Sequence, residues 1–327
     1  MSLIKNIKLV GISYHFPKKK IKLVELEKKY PNWQIKKIIK KTGIHKVFHS
    51  SLDETALSLA IEACKKLFKQ NKINKKKIQS LIFVTQSAEY NLPTTACILQ
   101  DKLNINRNIF AYDINLGCSG FVSALITAAS LINSNIVSNS LIVCSDTYSK
   151  YISNDDRTNF PIFSDAASAC FIKKGGNLKI GPYKYGTDGS GADNLIVKSS
   201  GIRGIISKKQ PAKLFMNGPQ ILLFTLNEIP KAIEEFLNEN LIEKKEIDFF
   251  IFHQANKYVI DNLIQKLKIE KSKAIFSAKN QGNTVSSTIP IALKDLEKKE
   301  KNLNRKKILI VGFGVGYSWS ITLLENK

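Results

Sequence analysis

Short apolar runs that look like buried strands alternate with helical segments along the chain, and the same order occurs in both halves. The strand-like runs are residues 81–84, 109–114 and 141–144, then 249–252, 274–276 and 308–311. Strands that alternate with helices predict an α/β protein. The repeated order indicates an internal duplication, and the Gly175-Gly176 pair marks a loop between the repeats. We therefore predict two halves, residues 1–175 and residues 176–327.

Cys118 stands in a short turn between the strand-like run 109–114 and the apolar helical segment 121–129. Gly117 and Gly120 are close to it, and small residues let the backbone bend sharply and let another molecule approach. The first amide groups of the helix would point at the sulfur and favour its thiolate. The pattern predicts a nucleophilic cysteine. The alternative that these residues leave open is a small buried side chain with a packing role.

The second half places polar residues after its own strand-like runs. His253 follows the run 249–252 directly, at a strand's carboxyl end, where open α/β sheets gather their chemistry. Asn283 lies in a polar turn ahead of a helix, and the glycine-rich turn 312–316 joins two strand-like runs. That turn is not a dinucleotide fingerprint, because no helix follows it. Each signal alone also fits an ordinary structural histidine or turn asparagine.

The formal net charge of +23 over 327 residues raises the question of nucleic-acid binding. The lysines form short scattered clusters, and basic residues do not alternate with aromatic ones. We therefore expect no nucleic-acid partner. A basic surface suits a very acidic protein partner equally well.

The five cysteines are odd in number and widely spaced, which fits free thiols in a reducing compartment and gives no zinc-binding spacing. The most apolar helical segment, 121–132, is interrupted by Ser and Thr and is too short to span a bilayer. We expect a cytoplasmic protein that is not embedded in a membrane.

Several motifs occur in a specific order along nearly the whole chain. They are Thr42-Gly43-Ile44, Pro93-Thr94-Thr95-Ala96-Cys97, the Cys118 turn, Asp156-Arg157, Met216-Asn217-Gly218, His253-Gln254-Ala255-Asn256, Gly282-Asn283-Thr284 and the closing glycine-rich turn. Together they resemble the β-ketoacyl-[acyl carrier protein] synthase III family of the thiolase superfamily. The resemblance implies a duplicated five-layered αβαβα fold of the thiolase type and a homodimer.

The resemblance also implies catalytic roles. Cys118 would take the acyl group of an acyl-CoA as its own thioester, and the backbone N–H groups of Cys118 and Val315 would form the oxyanion hole. His253 and Asn283 would hold the thioester carbonyl of malonyl-[acyl carrier protein] while carbon dioxide leaves. Cysteine, histidine and asparagine form the set for decarboxylative condensation, whereas thiolases that deprotonate their substrate need a second base. No metal or redox cofactor is implied.

Further residues are implied to contact the substrates and the carrier protein. The implied coenzyme A and pantetheine contacts are Arg157, Asn217, Gly218 and Trp33; Leu92 would be lent to the partner's acyl pocket; and Lys257, Lys266 and Lys268 would dock the acyl carrier protein. Leu92 replaces an aromatic gate, and Val315 stands where glycine is commoner. The reshaped pocket predicts a primer other than acetyl and is compatible with a pathway outside bulk fatty-acid synthesis.

Three functional hypotheses follow. The leading one is a decarboxylating condensing enzyme of fatty-acid initiation or of a related specialised lipid or polyketide pathway. The second is a non-condensing acyltransferase of a specialised pathway on the same scaffold, which the altered coenzyme A side and Leu92 motivate. The third, motivated by charge alone, is a basic binding protein without catalysis.

Overall fold

The computed structural model of the chain describes residues 3–206, 211–300 and 302–326. Within these ranges the α-helices are α1 (Leu26–Lys29), α2 (Ile35–Thr42), α3 (Ala56–Asn71), α4 (Thr95–Lys102), α5 (Gly120–Asn133), α6 (Gly201–Ile206), α7 (Gly218–Glu239), α8 (Lys257–Leu267) and α9 (Thr288–Lys299). The strands are β1 (Ile4–His15), β2 (Lys20–Lys22), β3 (Lys46–Phe48), β4 (Ser80–Val84), β5 (Phe110–Ile114), β6 (Asn139–Asp146), β7 (Ala166–Lys174), β8 (Leu178–Thr187), β9 (Leu195–Val197), β10 (Leu214–Met216), β11 (Phe249–Phe252), β12 (Lys307–Gly314) and β13 (Ser318–Asn326).

The main sheet has two arms with the same pattern of strand directions. Its order is β11-β12-β13-β8-β1-β7-β6-β4-β5. In one arm β1, β7 and β6 are antiparallel neighbours, and β4 and β5 continue parallel to β6. In the other arm β8, β13 and β12 are antiparallel neighbours, and β11 continues parallel to β12. The pairing confirms the duplication that the sequence predicted.

Helices cover both faces of both arms. Helices α5 and α9 share one apolar core with residues from both arms, for example Ile82 of β4 and Ile310 of β12. Helices α3 and α4 cover the opposite face of the first arm, and α7 and α8 cover the opposite face of the second. The alternate residues of each strand therefore face different helices, and the chain has the expected five layers.

Helix α5 is central because almost every side of it is apolar. Its buried residues include Phe121, Leu125 and Ile132, and burying a side chain of this size contributes about 1.5–3 kcal/mol. Its few polar groups are paired: the Ser123 hydroxyl bonds the Ser320 hydroxyl of β13 at 2.8 Å, and the Thr127 hydroxyl donates to the Ser123 carbonyl at 2.9 Å. The helix that begins beside Cys118 is therefore rigidly placed.

The strand predicted at 274–276 is wrong in extent. Only Ala274 forms a bridge, with Phe250 of β11. The Gln254 side chain replaces further strand pairing, because its amide nitrogen donates to the Ile275 carbonyl at 3.2 Å and its oxygen accepts the Ser277 N–H at 2.7 Å. The backbone leaves the sheet there and enters the turn that carries Asn283.

Gly175 and Gly176 lie in the short connection between β7 and β8. Both strands pair with β1, so this point is a turn at the centre of the sheet. The division into halves at residue 175 stays a prediction. Among the described helices, none is both long enough and apolar enough to cross a lipid bilayer.

Candidate active site

A cavity of about 660 Å³ is lined by residues of both halves. Cys118 reaches it from the turn after β5, His253 from the end of β11, and Asn283 from the turn before α9. The structure thus brings the three predicted catalytic side chains to one cavity.

Cys118 is buried in the tight turn between β5 and α5. The Gly120 N–H donates to the Gly117 carbonyl at 2.9 Å, which closes the turn. Burial and the nearby Asp146 carboxylate raise the pKa of the Cys118 thiol to about 12, whereas the backbone N–H groups of Val315 and of Cys118 itself lower it. The sequence had predicted that helix amides would favour the thiolate. The two N–H groups that lower the pKa lie outside α5, and desolvation is larger than their effect, so the resting thiol is protonated.

The glycine-rich turn between β12 and β13 lies directly against this cysteine. A Cβ at Gly312 would lie 2.8 Å from the Cys118 carbonyl oxygen, and a Cβ at Gly314 would lie 3.0 Å from the Cys118 Sγ. Glycine permits this approach, and the approach brings the Val315 N–H to the sulfur. Two backbone donors from the two halves therefore meet at the nucleophile. Their role as an oxyanion hole stays a prediction.

His253 is held by its backbone and by both sides of its ring. Its N–H donates to the Val311 carbonyl at 2.8 Å, its Nδ1 lies 2.8 Å from the Thr288 Oγ1, and its ring packs edge-on against Phe313. Burial lowers the pKa of His253 from 6.5 to about 3. The imidazole is therefore neutral near pH 7, with one donor nitrogen and one acceptor nitrogen.

Asn283 is fixed so that its amide nitrogen is the atom left for the cavity. The Asn283 N–H donates to the Ile162 carbonyl at 2.9 Å, and the Asn283 carbonyl accepts from Ser164 at 2.8 Å. The side-chain Oδ1 accepts the Val285 N–H at 2.9 Å. With the oxygen engaged, the amide nitrogen can donate to a ligand.

The turn after Asn283 contains a strained residue. Val285 is buried and has a left-handed φ of +54°, which is rare for a β-branched residue and costs about 1–3 kcal/mol. Its N–H bonds Asn283, its carbonyl accepts the backbone N–H of Thr288, and the same carbonyl lies 3.0 Å from the Thr288 Oγ1. Val285 thus bonds the Asn283 side chain directly and also contacts Thr288, the residue whose hydroxyl contacts the His253 ring.

Asp146 is a buried carboxyl group that the sequence analysis missed. Its Oδ1 accepts the Gln86 N–H at 2.8 Å, and its Oδ2 accepts the N–H and the hydroxyl of Ser286. Burial raises the pKa of Asp146 to about 7. These bonds join the ends of β4 and β6 to the Asn283 turn. The available signal was a carboxylate directly after an apolar strand-like run.

Tyr148 and Gln86 form a wall beside the nucleophile and were also missed. Tyr148 lines the cavity and packs in the same core as Cys118. Its hydroxyl donates to the Gln86 Oε1 at 2.5 Å, and a Cβ at Gly117 would lie 2.4 Å from that same oxygen. This polar pair occupies the space next to the reacting sulfur.

Comparison with known proteins agrees with this geometry. Residues 112–189 match the family model for 3-oxoacyl-[acyl-carrier-protein] synthase III, and residues 237–326 match the model for its C-terminal part. A β-ketoacyl-[acyl-carrier-protein] synthase III of Clostridium perfringens is 34% identical over 98% of this chain and 99% of its own length. The chain belongs to the 3-oxoacyl-[acyl-carrier-protein] synthase III family.

Solved structures of the family extend the agreement to three dimensions. A 3-oxoacyl-(acyl-carrier-protein) synthase III structure is 36% identical and superposes with a TM-score of 0.92 over 98% of this chain and 99% of its own. The synthase of Burkholderia xenovorans LB400 is 30% identical, with a TM-score of 0.89 over 99% of this chain and 95% of its own. The predicted family and thiolase-type fold are confirmed.

The residues predicted to contact coenzyme A differ in their position relative to the cavity. Arg157 and Gly218 line the cavity. Arg157 is exposed in a turn shaped by the Asp156 carboxylate, which accepts two backbone N–H groups, and it has no ion-pair partner in the described part of the chain. Asn217 accepts the Gln220 N–H and caps α7. Arg157 is therefore free to bind an anion, whereas Asn217 does not line the cavity and serves as the N-cap of α7.

Trp33, another predicted coenzyme A contact, does not line the cavity. The indole is buried, stacked on Tyr30 with 4.1 Å between ring centres, and edge-on to Phe160. These contacts place it in the core beside the cavity, so it presents no free face to a coenzyme A base. Contact between Trp33 and coenzyme A stays a prediction that rests on the place of the tryptophan before Thr42 in the sequence.

Lys41 and Tyr258 line the cavity and were not predicted as contacts. The Lys41 Nζ lies 5.1 Å from the centre of the Tyr258 ring, a cation–π arrangement that holds the ammonium at the wall. A lysine before Thr42 was visible in the sequence, but only the packing of α2 against α8 brings it to this wall.

The predicted docking lysines lie along α8. Lys257 begins the helix and pairs with Asp261, Lys266 donates to the Leu226 carbonyl at 2.8 Å, and Lys268 follows the helix end and is exposed. Lys257 is at the end of α8 that contributes to the cavity, whereas Lys266 and Lys268 are at the far end. Carrier-protein contact stays a prediction for all three.

Leu92 is 83% exposed, in the segment before α4, and does not line this cavity; its place in an acyl pocket stays a prediction. Across the described residues, no group of three or more His, Cys, Asp or Glu side chains is arranged to hold a metal ion.

Proposed function

We propose that this chain catalyses the decarboxylative condensation of an acyl-CoA primer with malonyl-[acyl carrier protein]. The products are β-ketoacyl-[acyl carrier protein], coenzyme A and carbon dioxide. The observation that carries the proposal is the single cavity that joins Cys118 to two neutral groups, His253 and Asn283. Burial lowers the pKa of His253 to about 3, which makes the imidazole too weak a base to take a proton from carbon, and an amide has no basic nitrogen. The carbanion therefore comes from loss of carbon dioxide.

The first half-reaction loads the acyl group. The Cys118 sulfur attacks the thioester carbonyl, and the resulting oxyanion accepts from the N–H groups of Cys118 and Val315. Collapse breaks the bond to the coenzyme A sulfur, and the proton lost by the thiol ends on that sulfur. Charge is conserved, which suits a thiol that burial keeps protonated at rest.

The second half-reaction forms the carbon–carbon bond. The malonyl thioester carbonyl accepts hydrogen bonds from His253 and Asn283, and the electrons of the bond to the carboxylate become an enolate as carbon dioxide leaves. The enolate carbon attacks the acyl carbonyl on Cys118. Collapse of that second oxyanion releases the cysteine sulfur, which takes up a proton.

The cavity mouth supports binding of anionic carriers. Arg157 offers an exposed cation for a coenzyme A phosphate, and Gly218 leaves room on the opposite wall, since a Cβ there would meet nothing within 4 Å. Lys41 and Lys257 add positive charge where α2 meets α8. An acidic carrier protein would be attracted to this surface, with Lys266 and Lys268 extending it.

The proposed reaction needs the two thioester substrates and no separate cofactor, because carbon dioxide release supplies the carbanion. We place the enzyme in the cytoplasm. The free state of all five cysteines, including the exposed Cys97, supports a reducing compartment.

We also propose a homodimer formed at the free edge of β5. β5 ends the sheet order, and its Phe110 is 52% exposed. Asp113 of β5 accepts the N–H groups of Thr95 and Ala96, which ties α4, and the Leu92 segment before it, to this edge. A twofold pairing of β5 strands would cover the edge and bring Leu92 to the partner's acyl pocket.

Phe110→Asp combined with Leu92→Asp is expected to convert the dimer to a monomer, because it places like charges at the interface. Light scattering after size-exclusion chromatography should give about twice 36.7 kDa for the natural chain and about once that mass for the variant. Leu241→Asp, at a position 93% exposed in the second half, is the control and should stay dimeric. A monomeric natural chain would refute this interface.

The function is tested by intact-protein mass spectrometry with a panel of acyl-CoAs. We expect the natural chain to gain one acyl mass and Cys118→Ser to gain none. Addition of malonyl-[acyl carrier protein] should then discharge the acyl group with release of carbon dioxide, and the acylating donor identifies the primer, which we expect to differ from acetyl. Acylation without malonyl-dependent discharge would instead indicate a non-condensing acyltransferase.

A further inference from the structure

The Nδ1 atom of His253 contacts a hydroxyl group and not a carboxylate. Thr288, the first residue of α9, is buried and places its Oγ1 2.8 Å from that nitrogen. The same Oγ1 lies 3.0 Å from the Val285 carbonyl. A threonine hydroxyl has a single proton, so it can donate to the imidazole or to the carbonyl but not to both.

The two arrangements place the imidazole proton on different nitrogens. If the hydroxyl donates to Val285, Nδ1 must carry the proton, and Nε2 is an acceptor. If the hydroxyl donates to Nδ1, the proton lies on Nε2. A carboxylate at this position would accept only, and would therefore enforce the first arrangement.

The surroundings leave the second arrangement available. The Val285 carbonyl already accepts the backbone N–H of Thr288, so it is not left without a partner when the hydroxyl turns away. The other face of the site is apolar, since the His253 ring packs edge-on against Phe313. Asp146, the nearby carboxyl group, is bonded to Gln86 and Ser286.

Only the second arrangement serves the proposed reaction. Burial keeps the imidazole neutral, so a hydrogen bond to the malonyl carbonyl requires the one ring proton to be on Nε2. We propose that the Thr288 hydroxyl donates to the His253 Nδ1 and so holds the tautomer that donates from Nε2. Thr288 is then a positioning residue for enolate stabilisation. This inference rests on the proposed function for its purpose, but the tautomer itself can be measured without turnover.

Nitrogen NMR of protein labelled with 15N-histidine reads the tautomer directly. The four histidines are assigned by comparison with His253→Ala. We expect His253 to show a protonated Nε2 and an unprotonated Nδ1, with no change between pH 6 and pH 8 because burial holds its pKa far below that range. A protonated Nδ1 in the natural chain would overturn the proposal.

Two variants separate tautomer control from packing. Thr288→Val keeps the shape without the hydroxyl and should lose the Nε2–H preference, whereas Thr288→Ser keeps the hydroxyl and should retain it. Because one donor is misdirected rather than removed, we expect Thr288→Val to lower malonyl decarboxylation about ten- to hundredfold and Thr288→Ser to restore most of it.

The rate of Cys118 acylation, followed by mass spectrometry, should stay within about twofold in both variants. An equal fall in acylation and decarboxylation, with an unchanged NMR signature, would show a merely structural role and refute the proposal. Absence of any condensation by the natural chain would count against the proposed function, while the NMR result would still decide the tautomer.

Discussion

Asn283→Asp is expected to lower condensation about 10²–10³-fold while Cys118 is still acylated at nearly the natural rate. One oxygen of the new carboxylate can accept the Val285 N–H as Oδ1 does now. The other replaces the amide nitrogen and presents a negative acceptor where the enolate oxygen develops. Removing one preorganised donor of this kind costs about 10²–10³ in kcat, and like-charge repulsion adds to that loss.

The measurement is carbon dioxide release from malonyl-[acyl carrier protein], beside mass-spectrometric acylation of the same preparation. Asn280→Asp is the matched control, because it makes the same chemical change at an exposed position three residues earlier and should behave like the natural chain. Unchanged decarboxylation in Asn283→Asp would remove Asn283 from the proposed mechanism.

Gly314→Ala is expected to lower acylation itself about 10²-fold. The added Cβ would lie 2.9 Å from the Cys118 Cβ and 3.0 Å from its Sγ. Neither atom can move away, because the side chain is short and the Gly120–Gly117 hydrogen bond closes the turn that holds its backbone. The sulfur or the Val315 N–H must shift, and a displacement of about 1 Å in a reacting group can cost 10²-fold in rate. Both half-reactions pass through this sulfur, so condensation should fall in parallel.

Acylation kinetics by quenched mass spectrometry would check this result. Gly189→Ala is the control, since a Cβ at that glycine would meet nothing within 4 Å. Thermal melting of both variants distinguishes a local clash from loss of the fold. A folded Gly314→Ala protein that acylates at the natural rate would show that the turn does not constrain the nucleophile.

The sequence predicted the fold and the meeting of three side chains at one cavity from features that are set by neighbours along the chain. Cys118, His253 and Asn283 each sit in a turn next to a strand-like run or a helix, so their types and positions were readable. The repeated strand order was readable for the same reason. The strand predicted at 274–276 was wrong in extent. Its apolar, β-forming residues do not reveal that the Gln254 side chain bonds this backbone in place of a partner strand.

Contacts between distant residues could not be predicted. The Tyr148–Gln86 bond joins residues 62 apart, and the Asp146–Ser286 bond joins residues 140 apart. The protonation of Cys118 was also missed, because both the burial that raises its pKa and the Val315 N–H that lowers it depend on the whole fold. Trp33 shows the same limit, since its stacking partner decides whether its ring is free.

The two arms of the sheet resemble two subunits fused end to end. Cys118 follows β5 of one arm, while His253 and Asn283 follow β11 and the segment beside it in the other. Because a single chain connects them, the reacting groups stay together at any dilution. A wall supplied by the partner's Leu92 would instead follow mass action. Dilution of the enzyme would then reduce its selectivity among acyl-CoA primers before it reduced the rate of condensation.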